Sequence, residues 1–178
     1  MKLDPNTAAR IRGLLAPLIS DAGHFLRVHV GDDPALTPAE LLHLVLFDPS
    51  FDRGPFVEVG PPPPSALDEI TRALRPVPAT AEQMPPSWCT SPPRKMAYGS
   101  PAGPWTPQTA LPPLERLIFL LQPDARWWTN VEYAAWNWEH GEFHDTFGSS
   151  PVTGHMLDCA LVGIGHDATV TFLAYSDS

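Results

Sequence analysis

Residues 157–175, LDCALVGIGHDATVTFLAY, decide the fold. Two runs rich in Leu, Val, Ile, Thr and Phe flank the short segment Gly165-His166-Asp167-Ala168. β-Branched and aromatic residues suit a pleated, half-buried surface, and a short connection between two such runs makes an antiparallel hairpin. The expected pairing is Leu157–Ile164 against Thr169–Tyr175. Cys159 falls inside the first run, where a thiol packs as a small apolar group.

Upstream, Trp127 to Trp138 (WWTNVEYAAWNW) reads as a further strand, with a turn at Glu139-His140-Gly141-Glu142 and a return strand over Phe143–Phe147. Gly148, Pro151 and Gly154 break the pattern, so residues 148–156 are expected to form a turn or short helix. The C-terminal part therefore reads as an antiparallel meander.

The N-terminal part is different. Ile11, Leu14, Leu15, Leu18 and Ile19 recur at helical spacing, and Gly23 should end that helix. His24–Val30 alternates as a strand. Thr37-Pro38-Ala39-Glu40 is a capping box with proline at the first helical position, starting a helix to about Phe47. Phe56–Val59 suggests a short strand, and Ser65-Ala66-Leu67-Asp68 starts a helix to about Arg75. Residues 76–113 contain eleven of the 23 prolines and no apolar period, which predicts a loop. Leu114–Leu121 (LERLIFLL) reads as a short buried helix.

The order predicts an α+β fold: N-terminal helices with short strands, a long proline-rich loop, and a C-terminal antiparallel meander sheet. At 178 residues the chain suits a single domain over 1–178. Its parts are a helix/strand part at 1–75, a proline-rich loop packed on the body at 76–113, and a buried helix with an acidic, tryptophan-rich sheet at 114–178.

Charge narrows the function. The net charge is −9, and residues 124–178 hold eight acids against Arg126 alone. Such a surface repels phosphate backbones and attracts basic partners, so nucleic-acid binding is not expected. The longest apolar runs fall well short of the roughly 20 residues that span a bilayer, and residues 1–15 do not read as a secretory signal. A cytoplasmic protein without membrane contact is the expectation. Cys89 and Cys159 lack CxxC spacing, and no Gly-rich phosphate loop occurs. No cofactor is expected.

Two groups of residues could carry function. Period two places Trp128, Asn130, Glu132, Ala134, Trp136 and Trp138 on one face of the tryptophan strand, and Trp127, Thr129, Val131, Tyr133, Ala135 and Asn137 on the other. With Glu139 and Glu142 of the turn, Trp128, Glu132, Trp136 and Trp138 make a candidate acidic, aromatic patch: rings anchor a partner and carboxylates steer it. The second group is His140, His144, Asp145 and His155. Two or three imidazoles with a carboxylate can bind zinc or iron, and a metal-dependent hydrolase would use them with Asp145 or Glu142 as base. Gly141 and the β pattern give that set poor ligand spacing.

In size, charge and aromatic content the chain resembles the immunity proteins of bacterial toxin systems, which block a cognate toxin stoichiometrically. The resemblance covers no motif and implies no residue roles. The expected function is capture or inhibition of a basic protein partner, with the hydrolase as the alternative.

Overall fold

The computed structural model describes residues 6–22, 26–54, 62–78, 107–132, 140, 148–155 and 157–176. The chain order is α1 (Thr7–Ala22), β1 (Leu26–Gly31), α2 (Pro38–Leu46), α3 (Leu67–Ala73), β2 (Arg75–Pro76), α4 (Pro107–Leu121), β3 (Arg126–Thr129), β4 (Val131–Glu132), β5 (Gly148–Ser149), β6 (Leu157–Ile164) and β7 (Thr169–Ser176). The fold is α+β.

The hairpin lies at the centre. Strands β6 and β7 pair antiparallel from Leu157↔Ser176 to Ile164↔Thr169, and the Gly165 N–H closes the turn on the Ala168 carbonyl at 2.9 Å. Around them the sheet runs β1-β7-β6-β3-β2, every neighbour antiparallel. The N-terminal strand β1 thus joins the C-terminal hairpin, with Val28 opposite Phe172.

Both faces of the sheet are covered. On one, Ile11 and Leu15 of α1 and Leu117 and Leu121 of α4 meet Trp127, Leu161, Val170 and Phe172. On the other, Leu41, Leu42 and Leu46 of α2 and Ile70 of α3 meet Val162, Ile164 and Leu173. Burial on both faces explains why the hairpin reads as nearly continuous apolar sequence instead of a clean alternation.

The caps are local chemistry. Thr37 Oγ1 accepts from the Glu40 N–H at 3.2 Å, and Glu40 Oε2 accepts from the Thr37 N–H at 2.8 Å. At α3 the N-cap is Ala66, which has no side-chain acceptor. Instead Glu69 Oε2 accepts from the Ser65 N–H at 2.6 Å and from the Ser65 hydroxyl at 3.0 Å.

Three local expectations are corrected. The helix expected at 114–121 begins at Pro107, so the proline-rich loop does not extend to residue 113. Pro112 and Pro113 each remove a backbone donor, but Leu114, Leu117, Ile118 and Leu121 bury one face against α1, and packing outweighs that cost. The tryptophan strand breaks at Asn130: β3 stays in the main sheet, while β4 pairs with β5 in a separate two-stranded sheet. For the same reason Gly148–Ser149 is a strand and not part of a turn or helix. The strands expected at 56–59 and 143–147 lie outside the described residues.

Candidate functional site

The break at Asn130 is the key to the local chemistry. Asn130 is fully buried, with its side chain turned inward. Its Oδ1 accepts from the Ala160 N–H at 2.7 Å, and its Nδ2 donates to the Ser150 carbonyl at 3.0 Å and to Asp158 Oδ1 at 2.7 Å. Asp158 Oδ2 accepts from the Val152 N–H at 3.0 Å, and from the Thr153 N–H and hydroxyl at 2.7 Å each. A carboxylate that is 5% exposed therefore receives four donated bonds. Burial pushes its pKa above the usual carboxylate range, and the bonds from Thr153, Val152 and Asn130 pull it back down. Oδ2 takes three donors and Oδ1 one, all from the fold, which makes Asp158 a structural clamp on the 150–155 segment.

That clamp sets His155 in place. Its backbone N–H reaches Thr153 Oγ1 at 3.2 Å, and its Nε2 donates to the Asp52 carbonyl at 3.0 Å. The ring stacks on Tyr175 with centroids 4.6 Å apart, and Tyr175 in turn meets Phe51 edge-on at 5.0 Å. Gly54 is required beside it: its φ is +83°, and a Cβ there would lie 2.7 Å from His155 Nδ1. Arg27 lies over Phe51 at 5.3 Å and donates to Ser50 Oγ at 2.7 Å. Ser50 donates in turn to Asp48 Oδ1 at 2.6 Å. Asp48 and Asp52 use their carboxylates to hold the backbone N–H groups of Ser50 and Gly54, at 2.8 and 3.0 Å. These are turn-forming bonds.

A second surface lies at the end of α2. Phe47 is stacked by His43 at 4.3 Å and covered by the Arg53 guanidinium at 4.4 Å. Arg53 Nη2 donates to the Pro64 carbonyl at 2.6 Å, drawing the turn before α3 alongside. Leu44 lies one turn before Phe47 on the same helix face. Leu44, Phe47 and Leu67 are 46%, 39% and 43% exposed, whereas the inner side chains of the same helices are buried. No sequence pattern singled out these three exposed positions, which lie on two helices that pack together.

The residues expected to act fall into three groups. Trp128 is half-buried against the second core and lies beneath Arg126, 5.5 Å from guanidinium to ring. Glu132 faces solvent and forms an ion pair with Arg75. Asn130, expected to share their face, is buried because the strand bends there. Trp136, Trp138, Glu139, Glu142, His144 and Asp145 lie outside the described residues. His140 is exposed, and His155 is committed to Asp52 and Tyr175. Among the described residues no three His, Cys, Asp or Glu side chains converge as a metal set, and no helix is long and apolar enough to cross a membrane. Cys159 is buried, and burial together with Asp158 pushes its thiol pKa far up, which removes it as a nucleophile. No family model, no curated protein and no solved structure matches the chain.

Proposed function

We propose that the protein acts by binding a basic protein partner, in the manner of a stoichiometric inhibitor, and that the outer face of α2 and the start of α3 are its main seat. The exposed trio Leu44, Phe47 and Leu67 carries this reading. Large apolar side chains at a surface contribute most of the free energy at interfaces when a partner buries them. Their surroundings are acidic: residues 38–54 and 62–73 hold Glu40, Asp48, Asp52, Asp68 and Glu69 against Arg53 and Arg72. An apolar anchor flanked by lysines or arginines matches that combination, and the overall charge of −9 speeds its encounter. The acidic, aromatic sequence from Glu132 to Glu142 is a second candidate for contact with the same partner.

Immobilised protein exposed to a lysate of the source organism, washed at low and high salt and read by mass spectrometry, tests this. The expected result is one basic protein retained at low salt. Retention should be lost on Leu44→Glu with Leu67→Glu. The variant Glu132→Ala, Trp136→Ala, Trp138→Ala reports on the second candidate. An unchanged set of retained proteins across both folded variants would sink the proposal.

A further inference from the structure

The five-stranded sheet ends at β2 on one side and at β1 on the other. A terminal strand carries a row of outward N–H and C=O groups, which a strand from another chain can pair with. Hydrogen-bond parity identifies the residues that own those groups. In the β6–β7 hairpin the Gly165 N–H donates to the Ala168 carbonyl, so these two form a bonded pair, and bonded pairs alternate with non-bonded ones along an antiparallel ladder. Thr169, Thr171 and Leu173 therefore turn their backbone groups away from β6 and towards β1. Their partners Gly31, His29 and Arg27 face β7 in return. Leu26, Val28 and Val30 are left pointing outward. Among the described residues no backbone group pairs with that outer side.

The opposite edge is closed by composition. The Val77 N–H donates to the Trp127 carbonyl at 2.9 Å, so by the same parity Pro76, opposite Trp128, faces outward. Proline has no N–H to offer an incoming strand. Strand β1 contains no proline, and it is covered differently: Arg12 Nη2 donates to the outward Val30 carbonyl at 2.7 Å. Ile11 and Leu15, both fully buried, hold this turn of α1 in the core and so fix where Arg12 starts. An added strand would lie about 4.8 Å away and bring its own N–H to about 2.9 Å from that oxygen. The guanidinium already fills that place. We propose that Arg12 guards the outer edge of β1 and keeps a second copy of the chain from adding its own β1 to the sheet. The pairing it blocks is self-complementary: antiparallel about Val28, it sets Val28 against Val28 and Leu26 against Val30 of the second copy. The net charge of −9 also opposes association, but salt screens it, whereas the guanidinium is a fixed block.

Sedimentation velocity over a concentration series in high salt tests this. Arg12→Met keeps the apolar stem and removes the donor fork, and Arg12→Ala gives the same readout should the methionine variant not fold. The mean mass of the variant should rise with concentration towards that of a dimer, while the parent protein stays monomeric. Adding Val28→Pro deletes one outward N–H and no bond of the β1–β7 ladder, so it should return the variant to a monomer. A folded Arg12 variant that remains monomeric at the highest concentration overturns the proposal. Association that Val28→Pro does not reverse overturns it too, because it runs through another surface. A parent protein that already associates, and stops doing so on Val28→Pro, shows an open edge and is equally fatal.

Discussion

Replacing Asp158 by alanine leaves four donors facing a void: the Val152 and Thr153 backbone N–H groups, the Thr153 hydroxyl and one N–H of Asn130. The hydroxyl can rotate, and the Asn130 amide retains Ser150. The two backbone donors have no such freedom, and both sit on residues that are at most 3% exposed. At ~1–3 kcal/mol per buried unsatisfied donor, these two lose ~2–6 kcal/mol before compensation. Relief from burying a carboxylate offsets part of it, leaving a net cost of about 3–4 kcal/mol, as when one partner of a buried ionic network is removed. Against a total stability of roughly 5–15 kcal/mol this is a large share. With a urea m-value of about 2 kcal/mol per M, the midpoint should fall by about 1.5–2 M. Asp158→Asn should be milder. Its oxygen can still face Val152 and Thr153, so one bond is lost, costing ~1–2 kcal/mol. Urea titrations followed by tryptophan fluorescence and far-UV circular dichroism give both values. If Asp158→Ala costs under ~0.5 kcal/mol, or the asparagine variant is the worse of the two, the clamp does not act as described.

Gly163 lies opposite Trp127, and a Cβ there would come within 2.5 to 2.8 Å of the indole ring. Gly163→Ala should cost ~2–3 kcal/mol by overpacking, checked by urea titration and by a shift in near-UV circular dichroism as the ring is displaced. His29 is held below its ordinary pKa by burial first and by Arg12 second, with Asp48 opposing. The unfolded chain therefore binds the proton more readily. Stability from this group is complete above about pH 6.5 and is lost as pH falls from there through the lowered folded value. His29→Gln should flatten the pH dependence of stability between pH 7.5 and 5, and an unchanged slope in that variant would show that other groups set it.

Much of the fold is legible from short-range chemistry. The hairpin at 157–175 and the Thr37 capping box are specified by residues within a few positions of one another, and both form where the residues place them. The clamp was out of reach for the opposite reason. Asn130 and Asp158 look like polar surface positions on strands, yet an acid beside Cys159 in an otherwise apolar run is itself a sign that a buried partner must exist. That partner lies 28 positions away in sequence.

The sequence by itself determined where the C-terminal hairpin and α2 form, because turn chemistry, capping and apolar period act locally. It also determined the acid excess that any partner must accommodate. Tertiary structure alone decided three matters. The prolines at 112 and 113 sit inside a helix because packing on α1 outweighs two lost bonds. The tryptophan strand turns aside at Asn130 because its amide is satisfied by residues on β6 and beyond. The C-terminal end of α2 and the segment before α3 are held together because Arg53 covers Phe47 and donates to the Pro64 carbonyl. Each depends on groups far apart in the chain, whose meeting rests on the summed burial of the whole sheet and not on any local pattern.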